Sequence, residues 1–150
     1  MKGPRGVELL QGEVITLQAA VTSGDTVGTN GTGVYIGGER RRYIFILNVT
    51  AAATAAGDTL DVYIDWSMDD TTYFNGAHFT QVLGNGGAVA FYTVFDADGG
   101  VTADVDVTAD QAANATVPSL FGPYVRSRYI IADGGGHAES FTFSVTGYAL

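Results

Sequence analysis

Cysteine is absent from this chain, histidine occurs twice, proline three times and tryptophan once among 150 residues. Without cysteine there is no disulfide framework and no thiolate site for zinc or an iron–sulfur cluster, so stability has to come from packing and backbone hydrogen bonds. The two histidines, His78 and His137, are far apart in sequence and neither belongs to an H-E-x-x-H helix, so neither that motif nor a three-histidine zinc site can be assembled. Positive charge is also scarce. Seven Lys and Arg stand against sixteen Asp and Glu, a formal charge of −9. That balance repels nucleic-acid phosphates and disfavours anionic membranes, so neither nucleic acid nor membrane is an expected partner. No apolar run approaches the ~18 residues of a membrane span, and Met1–Gly6 is not followed by a signal-type apolar core; the expected product is soluble and made in the cytoplasm.

Charged residues as a whole make up 15%, where about 25% is usual, while glycine at 21 residues is roughly twice its average usage. The surface is therefore expected to be largely neutral. A solitary soluble domain usually disperses itself with mixed charge, so a charge-poor exterior predicts coverage by neighbouring subunits; a Thr/Ser/Gly-rich surface of the kind many β proteins carry is the other reading.

Against these absences stands a clear periodicity. In residues 59–66, Leu60, Val62, Ile64 and Trp66 alternate with Asp61, Tyr63 and Asp65, the mark of a strand with one buried face. The same period predicts about eight strands, 14–21, 42–49, 59–66, a stretch at 78–83 after the aromatic pair Tyr73 and Phe74, 88–95, 101–107, 124–132 and 141–148, besides a short piece at 34–36. Residues 42–49 are apolar on both faces, as in a strand covered on both sides. Helical turns are expected at 50–57 and 110–115. The run Gly84, Asn85, Gly86 and Gly87 is expected to join 78–83 and 88–95 as a hairpin. Short strands, short turns and no long amphipathic helix predict an all-β protein: one antiparallel β-sandwich of Greek-key or jelly-roll type over residues 13–150, preceded by an extended N-terminal arm at 1–12.

Motifs for chemistry are missing between the strands. An EF-hand starting at Asp96 fails, because Gly100, Val101 and Val107 occupy positions that need a ligand, a glycine and a glutamate; a calcium site of another kind around Asp96, Asp98, Asp104, Asp106 and Asp110 competes with ordinary Asp-Gly turns. No serine sits in a G-x-S-x-G elbow. The pairs Gly31/Gly33 and Gly84/Gly86 lack the third glycine of a dinucleotide fingerprint. No catalytic residue, metal or cofactor is predicted, and a non-enzymatic chain is expected. The sharper signal is clustered arginine. Arg40, Arg41 and Arg42 open one core strand, and Arg126 and Arg128 share a face of another. Together with Lys2 and Arg5 of the arm they are the candidate interface residues, suited to ion pairs with carboxylates on this fold or on a neighbour; a solvated strand entrance is the alternative.

The segment from Thr59 to Asp70 (TLDVYIDWSMDD), the run Phe79-Thr80-Gln81-Val82, and GPYVRSRYII from Gly122 to Ile131 leading to FSV at the end of Ser140-Phe141-Thr142-Phe143-Ser144-Val145 together resemble β-sandwich virion proteins of tailed bacteriophages. The resemblance spans about residues 42–148. It implies a capsid decoration or head-stabilising protein, located in the virion, assembled in the host cytoplasm as a homo-oligomer such as a trimer, with the major capsid protein or other virion proteins as partners. A receptor- or glycan-binding module of a tail fibre or other tail structural protein is the alternative; its stacking platforms would be Trp66, Tyr63, Tyr73 or Tyr92.

Overall fold

The computed structural model describes residues 13–24, 28–37, 40–100, 106, 108–119, 122–136 and 139–150. The arm with Lys2 and Arg5, His137, and the expected strand at 101–107 apart from Asp106 lie outside the described residues. Among the described residues there are eleven strands: β1 Glu13–Ser23, β2 Thr29–Asn30, β3 Val34–Tyr35, β4 Arg42–Ala51, β5 Thr59–Ser67, β6 Tyr73–His78, β7 Val82–Leu83, β8 Val89–Asp96, β9 Ala115–Thr116, β10 Tyr124–Ala132 and β11 Phe141–Ala149. Four of them, β2, β3, β7 and β9, are two-residue additions to longer neighbours; β2 and β9 are not expected from the period, nor is β6 as a strand.

The strands form two antiparallel sheets. One has the order β1-β11-β4-β8; the other runs β2-β10-β5-β6-β9, with β3 also on β10 and β7 on β5. The chain changes sheet after β1, β3, β4, β7, β8 and β10, so sequence neighbours mostly face one another across the core. This is the expected antiparallel sandwich.

Period-two burial builds that core. From β5 come Leu60, Val62, Ile64 and Trp66, from β10 Val125, Tyr129 and Ile131, from β4 Tyr43, Phe45, Leu47 and Val49, and from β11 Phe141, Phe143 and Val145. Trp66 is its centre, fully buried, with Phe95, Tyr43 and Phe45 meeting it edge-on at centroid distances of 5.2, 5.5 and 5.8 Å. Edge-to-face contacts of this kind add about 0.5–1.5 kcal/mol each beyond the burial itself.

Four local expectations are corrected. The strand expected at 78–83 is not continuous: β6 ends at His78, residues 79–81 lie between strands, and only Val82 and Leu83 form β7. Residues 50–57 form no helical turn: β4 continues to Ala51, and the chain then bends to put Ala53 in the core. Residues 110–115 are not helical either, but an extended strap with a turn at Ala113–Asn114, where Asn114 has φ 63°. The hairpin is wrong in its pairing. β7 pairs with β5 and β8 with β4, so the Gly84–Gly87 turn carries the chain from one sheet to the other. The residues there do make a tight turn, with Asn85 at φ 61° and Gly87 at φ 75°, but a tight turn does not decide whether the flanking strands pair. Among the described residues no helix is long and apolar enough to cross a membrane.

Candidate functional site

Outward positions on β5 and β10 carry opposite charge. Antiparallel register sets Arg126 opposite Asp65 and Arg128 opposite Tyr63, so both arginines reach the same carboxylate. Nε of Arg126 donates to Asp65 Oδ2 at 3.3 Å and Nε of Arg128 at 3.0 Å. Asp65 is 2% exposed. A buried carboxylate is tolerable only when paired and hydrogen-bonded, and Asn75 completes its shell by donating Nδ2 to Oδ1 at 3.0 Å. The heads of the two arginines are held in turn. Arg126 lies over the Tyr73 ring at 3.9 Å and Arg128 over Tyr63 at 4.0 Å, as cation–π pairs. Arg128 also grips Asp110 with both terminal nitrogens, at 2.5 and 3.3 Å. Burial disfavours its charge, but hydrogen bonds and the charges of Asp65 and Asp110 outweigh that and raise its pKa.

Asp110 belongs to the strap, residues 108–117, which crosses this face. Gln111 donates its N–H to Asn75 Oδ1 at 2.8 Å, Val117 donates to the carbonyl of Gly76 at 2.8 Å, and β9 pairs with β6. Beneath the strap His78 stacks on Tyr63 at 4.2 Å. Its Nε2 meets Asp61 Oδ1 at 2.8 Å and its Nδ1 meets the Gln111 carbonyl at 2.9 Å. Burial pushes the imidazole pKa down, but the hydrogen bonds to Asp61 and Gln111 and the charges of Asp61 and Asp110 push it up further, leaving it raised. Burial likewise raises Asp61, and the hydrogen bonds from His78 and Gln81 with the charge of His78 bring it below the ordinary carboxylate range. The phenol of Tyr73 donates to Asp70; burial first, then that carboxylate, push its pKa up to about 12. A groove of about 400 Å³ opens beside Arg126, between Tyr73 and the start of the strap.

The charged groups of this face are engaged with one another. Both nitrogens of His78 are engaged with acceptors, so neither can take a proton from a nucleophile. Asp65, Asp110 and Asp61 are each bound by cationic or amide donors. Among the described residues no three His, Cys, Asp or Glu side chains form a metal-binding group. The aspartates considered for calcium have other partners: Asp96 binds Arg42 at 2.7 Å, Asp98 binds Arg41 at 2.5 Å, and Asp106 caps Thr108. Asp104 lies outside the described residues.

The candidate arginines thus fall into two groups that the fold does not bring together. Arg126 and Arg128 are partly buried on the larger sheet, whereas Arg41 and Arg42 pair at the surface with side chains 70% and 54% exposed. Arg40 lies just before β4 and is half-buried. His78, Asp61 and the strap were not singled out from sequence. The available signal was complementary alternation, acids at the outward positions of residues 59–66 and arginines at those of 124–132.

No family model matches the chain, and no curated protein does. Solved structures do. A chain in the structure of infectious bursal disease virus, Gx strain, superposes with a TM-score of 0.53 at 14% identity over 92% of this chain and 32% of that one. A chain of the Gt strain gives 0.52, 12%, 93% and 32%. The likeness is one of fold. It runs through nearly all of this sandwich, which spans about a third of the length of those viral chains.

Proposed function

We propose that this chain is a non-enzymatic structural protein of a virus particle, of the capsid decoration or head-stabilising type found in tailed bacteriophages. It self-associates and binds the major capsid protein or other virion proteins of the assembled shell, and is assembled in the host cytoplasm. The observation that carries this reading is the locked face of β5, β6 and β10. Its charged groups are tied to one another, with Asp65 under two arginines and the strap pinned above, so that the face is braced by its own ion pairs. Likeness of fold to the infectious bursal disease virus chains adds support. Binding only the assembled shell would stabilise that shell by mass action.

The glycan-binding alternative is the weaker reading here. Trp66 is fully buried and Tyr63 is 7% exposed beneath Arg128, so two of its four platforms are withdrawn. The test is co-sedimentation of the purified chain with purified phage shells, alongside glycan-array binding. The expected result is saturable binding to shells, a raised shell melting temperature and no glycan signal. A chain that stays in the supernatant and binds a sugar would overturn the proposal.

A further inference from the structure

The other sheet presents a very different face. Outward from β1, β11, β4 and β8, register places Val14, Tyr148, Ile44 and Val94 in one row and Thr16, Thr146, Ile46 and Tyr92 in the next. Val14 is 61% exposed and Tyr92 74%, while Ile44, Ile46, Val94 and Tyr148 are partly open. The only charged residues in these four strands are Glu13, Arg42 and Asp96, all at one end of the sheet, and Arg42 and Asp96 pair with each other. Apolar side chains on contiguous rows, with no charge among them, are what a monomer ordinarily avoids.

We propose that this face is the contact between two copies of the chain, packed sheet on sheet about a two-fold axis. The inference rests on the self-association in the reading above. Charge selects the occupant. Each copy carries −9 and repels another at most approaches, whereas this face offers no like charge to oppose itself and no charge for a basic or acidic partner to complement. Size agrees. Four strands about 4.8 Å apart, over about eight residues at ~3.3 Å, cover roughly 500 Å² per copy, so a pair buries about 1,000 Å², the lower bound for a specific interface. An antiparallel sheet can also pack face to face on a copy of itself, since aligned sheets pack about 10 Å apart at about −30°. A two-fold axis closes the assembly without leaving a sticky face.

The test uses the full chain and two substitutions on this face. Tyr92→Glu alters an exposed side chain and sets like charges together in the pair. Thr146→Cys puts the only cysteine in the middle of β11. At about 100 μM the wild type is expected to weigh twice the chain mass by light scattering, Tyr92→Glu to associate about tenfold or more weakly while melting like the wild type at dilutions where neither pairs, and Thr146→Cys to be trapped as a covalent pair by a bifunctional thiol-reactive cross-linker long enough to span sheets about 10 Å apart. If wild type and Tyr92→Glu pair equally, or Thr146→Cys resists trapping within a pair, the contact is elsewhere; the proposed face is overturned while self-association stands. A monomeric wild type overturns the pairing whatever the shells do, and shell co-sedimentation separately decides the virion reading. In that monomer, slow alkylation of the cysteine would mean that another part of the same chain covers the face.

Discussion

At Gly76 a side chain would have nowhere to go. An added Cβ would stand 2.6 Å from Cδ1 of Trp66 and 3.0 Å from Cε1 of Phe95, because β6 has one extra residue there, between the pairs Ile64–Ala77 and Asp65–Asn75. Gly76→Ala is therefore expected to lower stability by about 1–3 kcal/mol, read as an earlier urea midpoint with unchanged slope; an unshifted midpoint would mean that the bulge relaxes freely. Asp65 is the second sensitive residue. Replacing it with Asn takes the shared anion from Arg126 and Arg128, although Arg128 keeps Asp110; breaking a buried pair costs at most about 3–5 kcal/mol, expected as a lower urea midpoint. Arg41→Ala, by contrast, removes a pair whose side chains are 70% and 76% exposed, and no shift in melting temperature is expected. Sequence periodicity put Trp66 in the core and Arg126 and Arg128 on one face, as the structure has them. It did not reveal that Asp65 is their partner, because that depends on the β5–β10 register, which joins positions some sixty residues apart.

Elements show the same division between local and long-range information. Alternation located the long strands, but the Gly84–Gly87 turn looks alike in sequence whether its strands pair or separate into two sheets, and only the packing of β8 against β4 decides. The strap is subtler, since its residues lack periodicity and are held by side chains of β6, β8 and β10. Its fastening carries a pH dependence. The partners of His78, a carboxylate and a carbonyl, only accept, so both hydrogen bonds exist together only when the ring is an imidazolium. The folded pKa of His78 is raised above its ordinary 6.5, so its contribution is fully present below 6.5 and is lost as pH rises through the folded value. Asp61 is lowered from 3.8, so its contribution is present above 3.8 and is lost as pH falls through its folded value. Stability from this pair is thus greatest between the two reference values. Raising the pH from about 6 to about 9 should lower the melting temperature of the wild type more than that of His78→Gln; parallel curves would show that the strap does not depend on imidazole charge.

For the whole molecule, composition was informative about class and silent about placement. Scarce charge predicted a neutral exterior, and the fold concentrates that neutrality on one sheet while charged residues collect on the other and in the loops. No single strand discloses this, since β4 alone reads as a strand covered on both faces; one side is in fact the core, and the other is the half-open row of Ile44 and Ile46. The consequence is a sign for the effect of salt on self-association. Pairing through an uncharged face brings two chains of −9 together against their mutual repulsion, which salt weakens as the Debye length falls from about 30 Å at 0.01 M to about 3 Å at 1 M. Pairing through Arg40, Arg41 and Arg42 against acidic neighbours would rest on attraction that the same salt screens. Sedimentation equilibrium across that range should therefore show association strengthening with sodium chloride. Weakening would move the contact from the neutral sheet to the arginine-bearing end of β4.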